Sequence, residues 1–197
     1  MSKPVVAALN GMALGGGLEL AMRCHGIVAD RRAFLQFPEI TLGIAPGIGG
    51  MVVPYRRWPD AAPVLHDMIR LAKRIKAEQA HQLGIVDSLH DGYAELIQAA
   101  VARVDKLHGN AAPPAGEPVE IAELAAVEPI GPGKAVLSKE VIAIIEQAIR
   151  DAAAADTLDA ALEIGYLAFA ASACTAAAKE GVTSFLERRK PDFEQTG

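Results

Sequence analysis

The sequence predicts an α/β fold with buried strands, and three observations carry that expectation. The first forty residues read strand, glycine turn, helix, strand, turn, strand. Aromatic residues make up only 5% of the chain while Ala and Gly are abundant, a composition of closely packed helices rather than of a β-sandwich. Beyond residue 135 the sequence turns alanine-rich, with apolar residues at helical spacing. A length of 197 residues suits one large domain, or one domain with an appendage.

Residues 3–9 form an apolar run that reads as a buried strand, ended by the turn chemistry of Asn10-Gly11. Gly15, Gly16 and Gly17 then lead into the helix formers Leu18-Glu19-Leu20-Ala21-Met22. Residues 26–29 and 33–37 are two more short strands, stopped by Asp30-Arg31-Arg32 and by Pro38. A loop rich in Gly and Pro occupies 43–50, helices follow at 61–71 and 77–83, a strand at 85–89 and a helix at 93–107. Tyr55-Arg56-Arg57-Trp58 reads as a solvated basic turn. Residues 1–107 thus make an α/β unit. Residues 108–134, with five prolines and little apolar periodicity, read as a linker laid over the surface. Residues 135–197 are helical, with helices at 135–155, 158–174 and 176–189. Asp156 is the expected cap of the second, and Arg188-Arg189-Lys190 close the third.

Composition excludes several classes of function. Apolar residues reach 51%, too many for a disordered chain. A formal net charge of −5 argues against a nucleic-acid clamp, which depends on clustered cations. Cys24 and Cys174 lie far apart in apolar surroundings, which favours a reducing compartment over a disulfide framework. The five histidines show no ligand pairing, so no metal is expected. Asn10, the glycines and Glu19 interrupt the apolar N-terminal region, and no run reaches the roughly 18 apolar residues of a membrane span. The expectation is a cytoplasmic protein without membrane contact.

The chemistry centres on Gly15-Gly16-Gly17-Leu18-Glu19. Glycines entering a helix leave backbone N–H groups open at its positive end, where a phosphate, a carboxylate or an enolate oxygen can be held. Neither nucleotide-binding glycine pattern is met, and the same glycines equally serve close strand–helix packing. Glu19 and Glu39 both sit among apolar residues on neighbouring elements, and paired carboxylates suit acid/base work on water and carbon.

Residues 3–11, from Lys3-Pro4-Val5 to Asn10-Gly11, followed by Ala13-Leu14-Gly15-Gly16-Gly17-Leu18-Glu19-Leu20-Ala21, resemble the signature of the crotonase (enoyl-CoA hydratase/isomerase) superfamily. The resemblance continues through Phe37-Pro38-Glu39-Ile40-Thr41-Leu42-Gly43 and Pro46-Gly47-Ile48-Gly49-Gly50. It resumes in Lys179-Glu180-Gly181 and in residues 185–191, and is weakest through the proline-rich segment. It implies the C-terminal part of a crotonase-like ββα spiral, followed by C-terminal helices used for trimerisation. It also implies reversible hydration of 2-enoyl-CoA to 3-hydroxyacyl-CoA. Gly16 would supply an oxyanion donor. Glu19 and Glu39 would be the two hydratase carboxylates, and the Gly47 backbone would help hold the water. Gly15, Pro38 and Gly43 fall among the substrate-binding positions, and Phe169 and Arg188 where family members contact the CoA nucleotide, often across a subunit boundary.

The resemblance further implies a CoA thioester as substrate, no separate cofactor, and a homotrimer or hexamer. Residues 44–50 and 53–59 look like hydratase domains fused to a 3-hydroxyacyl-CoA dehydrogenase. The family pattern also includes a further half-domain before the glycine motif, carrying the second oxyanion donor, and a glycine at position 36. The sequence begins at that motif and has Gln36 there. The expectations are therefore reduced activity of this chain alone and an acyl pocket narrowed by Gln36. The alternatives are a non-catalytic assembly module and another reaction of the family, such as isomerisation or thioester hydrolysis.

Overall fold

Strand β1 (Val6–Leu9) turns a corner at Asn10-Gly11 into β2 (Met12–Leu14), which runs directly into helix α1 (Gly15–Met22). The chain then repeats the passage one layer further on. β3 (Gly26–Asp30) lies parallel on β1, turns at Arg31-Arg32, and continues as β4 (Phe34–Gln36), parallel to β2. Each passage lays one strand on each of two sheets, so consecutive passages stack as turns of a spiral. The second corner is tied by the buried Asp30, whose carboxylate accepts from the Arg32 backbone N–H at 2.8 Å and from its guanidinium. A computed structural model describes residues 3–108 and 117–196 of the protein.

β5 (Ile75–Lys76) adds antiparallel to β4, and β6 (Ser88–His90) adds parallel to β3, giving sheets of order β1-β3-β6 and β2-β4-β5. All five residues of the central strand β3 are buried, as expected of an uninterrupted Gly-Ile-Val-Ala run in a parallel sheet. Its Ile27 and Ala29 meet Leu18 and Met22 of α1 and Leu35 of β4 in the core. Helices α2 (Val53–Arg57), α3 (Ala62–Leu71), α4 (Ala77–Gln82) and α5 (Tyr93–Leu107) follow. The expected strand at 85–89 is shorter and later than its apolar run, because Ile85 and Val86 fill the core from a turn.

The expected solvated basic turn is instead the buried helix α2. Tyr55 and Arg56 are 1% and 3% exposed. Arg57 donates to the Met22 and Cys24 carbonyls at the end of α1, and its charge is absorbed by those oxygens and the face of Trp58.

Helices α6 (Lys139–Ala154), α7 (Leu158–Ala173) and α8 (Ala176–Leu186) are each capped by a hydroxyl, from Ser138, Thr157 and Thr175. The cap of α7 is thus Thr157 and not Asp156. α8 ends at Leu186, before the cationic cluster. There Arg189 grips the Glu180 carboxylate through both terminal nitrogens, and a short α9 (Phe193–Thr196) follows.

Within the expected linker at 108–134, residues 109–116 lie outside the described residues, and residues 117–134 run over the surface, held there by specific bonds. Arg56 donates to the Glu117 carbonyl at 2.9 Å, His66 bonds the Ala122 carbonyl at 3.0 Å, and Arg70 donates to the Ala125 carbonyl at 2.8 Å. Ile121 and Leu124 between these anchors, and Val127 just beyond them, pack on the core. The segment is a strap tied across α2 and α3. Prolines remove its own donors, but its carbonyls remain available to buried cations.

Candidate active site

The site starts where β2 becomes α1 with no intervening loop. Gly15 makes this turn with φ +49°, a left-handed conformation that glycine adopts without strain. A Cβ there would lie 2.7 Å from Glu39 Oε1, so the Glu39 carboxyl rests against the start of the helix. The N–H groups of Gly15, Gly16 and Gly17 have no acceptor within α1 and make its positive end. Next to Gly16, Ile48 forms an apolar wall, its Cδ1 3.2 Å from where a Cβ would stand.

Glu19, one turn along α1, is 2% exposed. Its Oε1 accepts from the Gly50 N–H at 2.6 Å and the Ile48 N–H at 2.8 Å. Burial raises the pKa of this carboxyl, opposed by the N–H groups of Ile48, Gly50 and Gly47 and by the charge of Arg23. Glu39 opens a short 3-10 turn (Glu39–Leu42) that Pro38 starts. Burial pushes its carboxyl up to about 7, against the pull of its own backbone N–H, and the negative charge of Glu19 adds to the rise. Its Oε2 is buried without a hydrogen-bond partner among the described residues. Two electrostatically coupled carboxyls, one ringed by N–H donors and one poised to hold a proton at neutral pH, are equipped to take a proton from one atom and deliver one to another.

The other expected site residues divide. Gly47 belongs to the loop around Glu19, and the Phe169 ring of α7 lies 3.0 Å from where its Cβ would be. Phe169 therefore packs beside the site of its own chain. Gly43 packs closely against α8. With φ +66° it ends the 3-10 turn, and a Cβ there would stand 2.5 Å from the Ala177 carbonyl of α8. Arg188 is exposed beyond the end of α8, and none of the described contacts of Glu19 or Glu39 involves it. The Gln36 side chain is tied to helix α3, where its Nε2 donates to the Ala72 carbonyl at 2.7 Å. The N–H donors of Ile48 and Gly50 were not anticipated as Glu19 ligands; only the glycine content of 43–50 hinted at close backbone approach.

The enoyl-CoA hydratase/isomerase family profile matches residues 1–115. The peroxisomal fatty acid beta-oxidation multifunctional protein AIM1 of Arabidopsis thaliana is 52% identical over 89 residues, 44% of this chain and 12% of that protein. The glyoxysomal multifunctional protein MFP-a of Brassica napus is 39% identical over 142 residues, 62% of this chain and 18% of its own length. The chain thus spans under a fifth of these curated relatives. Among solved structures, an enoyl-CoA hydratase subunit I of Geobacillus kaustophilus HTA426 is 28% identical with a TM-score of 0.51, over 98% of this chain and 63% of that one. A carnitinyl-CoA hydratase of Mycobacterium avium, 23% identical over 99% of this chain and 64% of that one, shares the fold with a TM-score of 0.68. The expectation of a cytoplasmic protein is overturned by the relatives, which are named for peroxisomes and glyoxysomes. With its profile matched over more than half its length, and with the glycine turn and both glutamates inside that match, the chain belongs to the enoyl-CoA hydratase/isomerase family.

Proposed function

We propose that this chain carries the hydration site for a 2-enoyl-CoA thioester. The observation that supports this most is the pairing of Glu19 with Glu39 at the start of α1. Water adds to the β-carbon as Glu19 takes its proton, and Glu39, protonated near neutral pH, gives a proton to the α-carbon. The carbon–carbon double bond becomes single, and the thioester oxygen carries the transient enolate charge against the Gly16 N–H. The thioester itself makes the α-carbon acidic enough, so the residues named need only bind, orient and move protons.

The assembly belongs to the same reading. Leu167, Val182, Phe185 and Leu186 on α7 and α8 are 44–75% exposed, an apolar face suited to a second copy of the chain. A trimer or its multiple is the expected state, and a monodisperse monomer by light scattering at micromolar concentration would rule it out.

The test is the hydration of crotonyl-CoA by the wild type, Glu19→Gln and Glu39→Gln. Each variant is expected to lose on the order of 100-fold or more in kcat with a much smaller change in KM. Full turnover by Glu39→Gln would refute the assigned role. A folded wild type without hydratase activity would favour the assembly module instead.

A further inference from the structure

Ser172 is a buried hydroxyl near the end of α7, 0% exposed, far in sequence from either glutamate. Its Oγ donates to the Phe169 carbonyl one turn back at 2.8 Å, a local bond that serines in helices often make. Ser184 of α8, equally buried, makes the same kind of bond to the Gly181 carbonyl at 2.9 Å. Ser172 differs in a second, long-range bond, accepting the Ala45 N–H at 3.0 Å. Ala45 is itself fully buried and begins the turn whose next residues are Pro46, Gly47 and Ile48.

The same helical turn touches the loop again through the Phe169 ring on Gly47. At the far end of the loop, a Cβ on Gly50 would stand 2.9 Å from both Phe37 and Pro46 and 3.0 Å from Glu19 Oε1. The loop is therefore clamped at Ala45 and Gly47 by α7 and wedged at Gly50 against the core. Between those fixed points lie the N–H groups that bind the Glu19 carboxylate.

We infer that Ser172 is a positioning residue for Glu19, holding the 44–50 loop at the register in which the Ile48 and Gly50 N–H groups meet its carboxylate. Its Oγ is engaged by the Phe169 carbonyl and the Ala45 N–H, so it acts on the carboxylate through the loop. It acts by satisfying the Ala45 N–H, which would otherwise be orphaned in the core and free to draw the loop toward another acceptor. The inference places part of the acid/base machinery under the control of a C-terminal helix. Its activity arm rests on the hydration reading above.

The experiment uses the full chain with Ser172→Ala, Ser172→Cys and Ser184→Ala. Cysteine keeps the shape of the side chain, with a somewhat larger and weakly accepting sulfur, and Ser184→Ala removes a similarly buried hydroxyl that bonds only within its own helix. Carboxyl-carbon NMR of labelled glutamate follows the titration of Glu19, with Arg23 and Glu39 as the charged groups facing it. Loss of N–H donors disfavours the carboxylate, so Glu19 should titrate at higher pH in both Ser172 variants and unchanged in Ser184→Ala. With crotonyl-CoA, kcat should fall on the order of 10- to 100-fold in the Ser172 variants while KM stays within about threefold. Glu19 titrating in Ser172→Cys as it does in the wild type would overturn the inference. If the wild type shows no hydratase activity, the hydration reading fails, and the titration still decides the role of Ser172.

Discussion

Glu39 should destabilise the fold in a pH-dependent way, and its removal should show by how much. Its carboxyl is held at about 7 in the folded chain against an ordinary value of 4.5, with Oε2 buried and unpartnered among the described residues and Glu19 facing it. A carboxyl whose folded pKa is raised binds its proton more tightly when folded. The folded state is therefore favoured at low pH and loses that advantage as pH rises through the window from about 4.5 to about 7. At 1.36 kcal/mol per unit, the full loss above that window is about 3 kcal/mol, of which about 2.5 falls between pH 5 and pH 8. Glu39→Gln keeps the shape and removes the titration. Its stability relative to the wild type, from urea unfolding, should therefore improve by about 2 to 3 kcal/mol on going from pH 5 to pH 8. The same variant should be nearly inactive, so the residue trades stability for chemistry. An equal difference between the two proteins at both pH values would refute the reasoning, because it would mean that Glu39 ionises as freely folded as unfolded.

Two further substitutions probe the framework. Gly181→Ala would place a Cβ 2.2 Å from the Leu42 carbonyl, backbone against backbone. The clash should outweigh the helix-propensity gain by about 2 kcal/mol and lower Tm by roughly 4–8 °C, whereas an unchanged or raised Tm would mean that α8 does not sit on the 3-10 turn. Tyr55→Phe would strip the buried His66 Nδ1 of the hydroxyl 3.0 Å away, leaving the ring to donate from Nε2 to the Ala122 carbonyl. A loss of about 1–3 kcal/mol in urea unfolding is expected at pH 8, and no loss would show that the hydroxyl makes no such bond. Burial holds the pKa of His66 below its ordinary value, so the stability tied to its neutral form is present above about 6.5 and declines as pH falls below it.

What the sequence reveals follows from where the information resides. The bounds of α5 at Tyr93 and Leu107 are legible because a helix with one apolar and one polar face is written at every turn. β3 is legible as an unbroken apolar run. β2 is not: it has three residues, of which Met12 is 71% exposed, and only its pairing with β4 makes it a strand. Helix α2 is hidden for the opposite reason, since two arginines look solvated until their acceptors, carbonyls remote in sequence, come into view. At the site, Glu19 and the glycines share one helix, so their relation is local and readable. The loop donors are backbone atoms and Ser172 lies 127 residues from its partner, so no side-chain pattern announces either. Gly43 carries the same letter as the site glycines, yet its role is set by α8, which the sequence alone does not bring near.

The strap over α2 and α3 has an evolutionary consequence. Arg56, His66 and Arg70 hold it through main-chain carbonyls, a group that every amino acid offers, including proline. The segment can therefore change its residues freely, provided that a few apolar contacts such as Ile121 and Leu124 persist, while staying in the same place. Selection would fall on the three anchors rather than on what they bind.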